Sequence, residues 1–480
     1  MQLLGFRMRF CVSSLCLVAS AQGLRFGSAG QVLLEDFAAL TRLVLAPGCA
    51  GAEWKVIMQN GSVRQFGLVN AVALVVGNML GAGIFTTSGY TLAAVPSREA
   101  VLLLWLIGGL VALMGAVSYG ALARVIPVSG GEYVFLSRTV HPAAGYVSGW
   151  LSLFCGFSAP VAFAGLAFGE YLQAWNADLS PKVIGSVAIL FFAILQAERN
   201  RSFTFFQDWL VMLKLFMIVL FAGVAVAHLE TPTLAESGAV ETQAFLGSLV
   251  WIYLAYSGWN AAVYVAGEIR EPGRIIPRAL LYGTTLVMLM YLGLNVIFVY
   301  SAPIEVLAGE AEIAKLAAES LAGEGFARFV TTVICVALLT SVSAMTMAGP
   351  RVYSKMAGDG FLPGWFKCES PPFRASVYLQ TGIALLMIWV SGLRGLMTYL
   401  GFALGIGAAL AVVGLIRLRW KDSTVEVWGW PWIPLGFVAS VAVVTGVSIV
   451  NSPVESAWGL ATIGAGIGAY FFHQRQVKKR

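Results

Sequence analysis

Residues 77–87 read GNMLGAGIFTT, three glycines inside an apolar run long enough to cross a bilayer. Such glycines mark either a face where another helix packs closely or a place where the helix unwinds. Gly77 and Gly81 alone form a GxxxG pair. Gly83, followed by the polar run Thr86, Thr87, Ser88 and Gly89, favours unwinding. A second interrupted run decides between the two. In LVWIYLAYSGWNAAVYVAGEI, residues 249–269, an apolar stretch is broken at its middle by Ser257, Gly258 and Asn260.

The rest of the chain has the composition of a membrane protein. Of 480 residues, 59% are hydrophobic and 11% charged, and the mean hydropathy is +0.81, which excludes an ordinary soluble domain. Apolar runs of about 20 residues, the length that spans a hydrocarbon core, recur about twelve times. In lipid the backbone must satisfy its own hydrogen bonds, so runs of this length are helices. The expected fold is an all-α membrane protein of about 12 transmembrane helices.

Lys and Arg sort between alternate links. One set holds only Arg98, Lys182, Lys315, Arg328 and Arg394, and nearly all the remaining basic residues of the bundle fall in the other. The richer set, which includes both ends of the bundle, is expected on the cytoplasmic side of a cell membrane. The net charge of +6 is then a matter of topology and does not point to nucleic acid. Six cysteines and three histidines show no metal-ligand spacing. No cofactor, metal or enzymatic set of a nucleophile and base at depth is expected.

Two broken spans placed alike in two halves are the sequence signature of transporters built from inverted repeats. Unwound backbone is tolerated at the midplane only where it lines a cavity or meets a ligand. The N-terminal end of one half-helix offers N–H groups to an anion, and the C-terminal end of another offers carbonyls to a cation. An α-amino acid carries both charges one carbon apart.

At these residues the chain resembles the amino acid permeases of the amino acid–polyamine–organocation (APC) superfamily, which share the LeuT-type fold. GNMLGAGIF matches the unwound first helix, PVSGGEYVFL (127–136) the link after the second, YSGWNAAVYVAGEIREPGRIIPRAL (256–280) the sixth helix and its exit, and GPRVYSKMAGDGFLP (349–363) the eighth and its exit. The resemblance implies a 5+5 inverted repeat with broken helices 1 and 6 plus two C-terminal helices. Residues 64–242 and 243–421 are then the two repeats, and 422–480 the last two helices with a short basic tail.

The resemblance also implies roles. Gly81, Ala82, Gly83 and Ile84 would present amides to the substrate carboxylate, with Met79 at the same site. Leu254, Ala255 and Ser257 would offer carbonyls to the ammonium, with Asn260 nearby. Where many relatives carry an aromatic gate this chain has Leu254, and Tyr253, Tyr256 and Trp259 are the replacement candidates. Glu268 and Arg270 are candidates for an inner gate. Glu132, Glu268, Arg270, Arg274 and Arg278 are otherwise expected to be solvated anchors at cytoplasmic ends. Arg351 and Asp359 are expected to be structural.

Lys214 is the most informative single residue. It lies well inside the fifth apolar run, beyond Gln207 and Asp208, where a charge is costly unless paired or solvated. It matches the lysine of sodium-independent members, whose ammonium stands where sodium-coupled relatives bind an ion between helices 1, 5 and 8. A buried amine is also a candidate proton carrier.

The function implied is secondary active transport of amino acids by alternating access, without sodium, linked to protons or to exchange. No acid is read deep in spans 1, 3, 6, 8 or 10. The third offers Phe154, Cys155, Phe157 and Ser158, and the eighth Ser341, Ser343, Met345 and Thr346, which suggests a neutral substrate. The link EYLQAWNADLSPKV (170–183) has no cysteine, so no disulfide-linked heavy chain is expected. The alternatives are a polyamine or organic cation permease and a non-transporting amino acid sensor on the same fold. Residues 1–63 stand apart as an N-terminal extension. Its first residues have a signal-like pattern, and Met58 is the expected true start.

Overall fold

The computed structural model describes residues 66–81, 83–173, 178, 180–198, 201–228, 238–368 and 373–477, with side chains at all of these except 201–211 and 476–477. The extension over 1–63 with its signal-like segment and Met58, Ala82 of the first break, and the side chains of Gln207 and Asp208 lie outside the described residues.

Every regular element among the described residues is helical. In chain order the helices are α1 (Leu68–Met79), α2 (Gly83–Ala94), α3 (Arg98–Val125), α4 (Glu132–Thr139), α5 (Pro142–Leu151), α6 (Ala159–Gln173), α7 (Pro181–Ala197), α8 (Arg201–His228), α9 (Thr242–Ala255), α10 (Ala261–Tyr264), α11 (Pro272–Tyr300), α12 (Ile304–Leu307), α13 (Ile313–Gly358), α14 (Arg374–Val390), α15 (Leu393–Lys421), α16 (Trp432–Asn451) and α17 (Pro453–Val477). Proline opens α5, α7, α11 and α17, where its missing N–H costs nothing and its fixed φ suits the first turn. Ser97 caps α3 by accepting from the Ala100 amide at 3.3 Å, which satisfies one of the four N–H groups left open at a helix start.

Among the described residues six helices or continuous helical spans are long and apolar enough to cross a bilayer. The α1–α2 pair, bent by 41°, makes a seventh when taken as one span. The helices α7, α9 and α14, and α8 from Met212 onward, are shorter and apolar. The α5–α6 span is continuous through a π-helical stretch, Ser152–Ser158, a local widening often found at functional sites. The helix α13 turns at Ala322 and Gly323, where Gly323 has φ +78°.

Polarity is arranged for lipid rather than water. Val187, Phe191 and Ile194 form an exposed apolar stripe on α7, while Lys214, Asn295, Gln196 and Gln380 are buried. A multi-pass membrane protein requires this distribution, because the bilayer solvates the apolar stripe and the polar groups find partners inside. The helix α11 lies along α3 and against α1, while α13 packs on α6 and α8. Of the two broken spans, α2 meets α9 and α10 meets α1, so each half-helix faces a half of the other span.

Candidate functional site

The site begins with two interruptions in register. The first span stops being helical at Met79 and resumes at Gly83, and the second stops at Ala255 and resumes at Ala261. At each end the helix leaves carbonyls or N–H groups without an intrahelical partner.

Two glycines let the halves touch. A Cβ built on Gly83 would lie 2.7 Å from the Ala255 Cα, so the start of α2 rests directly on the end of α9. Gly258 has φ +96°, and a Cβ there would lie 3.0 Å from the Asn78 carbonyl carbon and oxygen. Any side chain would therefore meet both a left-handed backbone and the end of α1.

Lys214 closes the carbonyl end of α1. It is fully buried, and its Nζ donates to Gly77 O at 3.1 Å and Leu80 O at 2.9 Å. A cation against the negative end of a half-helix is favourable in charge as well as in hydrogen bonding. Gly81 turns toward α13, where a Cβ would lie 3.8 Å from Ser341 Oγ, and its amide donates to Met79 O at 2.8 Å. Gly83 and Ile84 occupy the first turn of α2, whose N–H groups have no intrahelical acceptor and which carries the positive end of that helix.

Tyr291 of α11 was not singled out from sequence. Its buried hydroxyl lies between the carbonyls of Met79 and Ala255, the last helical residue of each broken span, with Ala255 O at 3.2 Å. Ser257 N donates to Leu254 O at 2.8 Å. Met79 O already accepts from both Gly81 N and Tyr291, whereas among the described residues Ala255 O accepts only from Tyr291 and keeps a second lone pair for another donor. In Tyr291→Phe the two carbonyls lose this donor, and the apparent KM for uptake is expected to rise about fivefold, the size of one hydrogen bond. An unchanged KM in reconstituted vesicles would show that the hydroxyl has no part in the site.

The aromatic gate candidates are placed unequally. Tyr256 donates to Trp105 O at 2.9 Å and packs at a tilt against both Trp105 and Tyr291. Trp259 packs edge-on against Tyr119 of α3 and Phe437 of α16. Both belong to the packing around the second break. Tyr253 is buried near Gly405 of α15 and Leu254 is buried on the same turn. In the π-helical stretch, Cys155 donates to Tyr399 Oη at 2.9 Å while Phe157 packs on Tyr264 and Tyr353.

The arginine-rich end is fastened. Phe66 pairs with Ile269 as an isolated parallel bridge. Its N–H donates to Glu268 O and its carbonyl accepts from Arg270 N, both at 3.0 Å. Arg351 Nε donates to Glu268 Oε1 at 3.1 Å, and Tyr133 Oη donates to Asp359 Oδ2 at 2.6 Å. At the opposite end Gly309 N donates to Gly89 O at 2.8 Å. Tyr171 Oη there sits 3.1 Å from Phe85 O and 3.2 Å from Ala311 O.

One expectation is corrected. Glu132, read as a solvated anchor, is only 8% exposed, because Gly130 (φ +121°) and Gly131 (φ +56°) turn the link inward immediately before it. The two glycines preceding an acid were the available signal.

Half-helices that face each other across two broken spans, with an ammonium at one carbonyl end, are the arrangement of a membrane transporter rather than of an enzyme. The amino acid permease family model matches residues 66–470, and the chain belongs to that family. It is similar to the serine/threonine exchanger of Bacillus subtilis, 26% identical over 430 residues that cover 86% of this chain and 97% of the relative. It is also similar to the large neutral amino acids transporter small subunit 2 of Oryctolagus cuniculus, 26% identical over 435 residues, 85% of this chain and 80% of the relative. The cystine/glutamate transporter of Homo sapiens is 25% identical over 426 residues, with 85% of each chain covered.

Proposed function

We propose that the chain moves neutral amino acids across a cell membrane by alternating access, independently of sodium, through exchange or together with a proton. In this reading the bundle has twelve spans in a 5+5 inverted repeat with two further helices, both its ends are cytoplasmic, and it works without a disulfide-linked partner. The two ends of α1–α2 and α9–α10 receive the substrate's carboxylate and ammonium.

The carrying observation is Lys214, whose ammonium holds Gly77 O and Leu80 O. Those carbonyls are the place where a coupling cation would otherwise bind, and a lysine already fills it. The neutral side chain follows from the buried acids. Glu132 lies beside the second break, and neutral donors of the protein already take three of its roughly four acceptor positions, which leaves little of it for a cationic side chain. The same fact weighs against a polyamine.

Purified protein in proteoliposomes should take up a labelled neutral amino acid from a panel at equal rates in sodium and choline buffers. Internal amino acid or an inward proton gradient should stimulate that uptake. Uptake that requires sodium would refute the reading, and binding without flux would favour the sensor.

A further inference from the structure

Glu132 opens α4, the short helix in the link between the spans α3 and α5–α6, and its carboxylate reaches back into the bundle. Oε1 accepts from Tyr119 Oη of α3 at 2.9 Å and from Asn260 Nδ2 of the second break at 2.8 Å. Oε2 accepts from Tyr264 Oη of α10 at 3.2 Å. Across from it on α15 stands Gly407, where a Cβ would lie 3.9 Å from Oε2. Among the described residues the titratable groups facing it are all tyrosines: Tyr119, Tyr264 and Tyr253. Among the described residues no lysine, arginine or histidine makes an ion pair with it.

A buried acid without a counter-ion is held only by its hydrogen bonds. Here all three come from neutral donors, and one is the amide of the unwound turn Tyr256–Asn260. The same link is tied to that span again by Ser129 Oγ, which accepts from Gly267 N at 2.7 Å.

We propose that Glu132 is a positioning residue of the transport site, which fixes the Asn260 amide so that its oxygen is left for the substrate's ammonium. The proposal rests on reading the second break as half of the substrate site. An ionised carboxylate can only accept, so it faces Nδ2 and leaves Oδ1 as the free end of the amide. Among the described residues no donor reaches Oδ1. A protonated Glu132 becomes a donor and no longer dictates this orientation. The amide can then turn over and present its NH2 to the ammonium, where two donors oppose each other.

The protonation state of Glu132 is thereby read at the substrate site without contact between the two. Burial pushes its carboxyl above the ordinary value, with the three hydrogen bonds pulling in the opposite sense. The sign follows: affinity is full where Glu132 is ionised and falls as pH drops through its raised pKa.

The test is initial uptake by wild type, Glu132→Gln, Glu132→Asp and Asn260→Ala in proteoliposomes, over a pH series, with folding checked by thermal stability. Glu132→Gln should raise KM about tenfold at neutral pH, the cost of losing a charged acceptor, and flatten the pH profile of KM. Glu132→Asp should retain a pH-dependent KM. Asn260→Ala, which leaves Glu132 and both tyrosines in place, should show the same raised and flat KM, and it serves where Glu132→Gln does not fold. A KM that remains pH-dependent in Asn260→Ala overturns the proposal, as does a Glu132→Gln effect confined to the maximal rate. Failure of wild type to bind or move any amino acid refutes the transport reading itself, and this proposal with it.

Discussion

Replacing Lys214 by alanine is expected to lower amino acid uptake at least about tenfold while the protein remains in the membrane. The ammonium is the donor to both Gly77 O and Leu80 O, at the end of α1 where the helix has already stopped supplying partners. Each buried carbonyl left unsatisfied costs about 1–3 kcal/mol, and the loss falls on the segment whose shape defines the site. Arginine is not a conservative replacement, since its fork does not present the point charge of a lysine. Uptake by Lys214→Ala equal to wild type, measured at matched protein density, would show that the break does not depend on this cation.

The second large effect is expected at Gly83. A methyl group there would lie 2.7 Å from the Ala255 Cα and 2.9 Å from its Cβ. These are atoms of a helix end rather than of a flexible side chain, so α2 and α9 must separate. Overpacking of this kind costs about 1–3 kcal/mol, and the separation moves the N–H end of α2 away from the carbonyl end of α9. Gly83→Ala is therefore expected to retain less than about a fifth of wild-type uptake, the loss that a barrier increase of about 1 kcal/mol or more produces. Gly223→Ala on α8, where nothing lies within 4 Å of the added Cβ, is the control and should be neutral. Full uptake by Gly83→Ala would mean that the half-helices are not functionally in contact.

How far the site was legible varies with the kind of signal. The breaks around Gly81 and Gly83 and at Ser257, Gly258 and Asn260 stood out because glycines and polar residues inside an apolar run weaken a spanning helix, and two such runs in corresponding halves are the sequence pointer to a binding site. Lys214 stood out on similar grounds, since a charge at depth is too costly to be incidental. The carbonyls it holds were not legible, as Gly77 and Leu80 look like any small and apolar residues. Tyr291 was missed because an aromatic residue inside a span is ordinarily core, and its sequence neighbourhood does not reveal that its hydroxyl lies between two helix ends. The gate candidates Tyr256 and Trp259 sit where the helix unwinds, and there the 3.6-residue period that assigns a face no longer holds.

By itself the sequence determined that the protein is a helical membrane protein with two interrupted spans and a buried lysine. Hydropathy, turn-forming residues and the cost of charge in lipid are local properties, written residue by residue along the chain. Only the tertiary structure decided what those features touch: Lys214 on the end of α1, Tyr291 between both breaks, and Glu132 folded into the bundle. A hydrogen bond between residues far apart in sequence depends on packing and backbone direction. In the case of Glu132 two left-handed glycines, Gly130 and Gly131, were enough to turn an acid expected in water toward the second break.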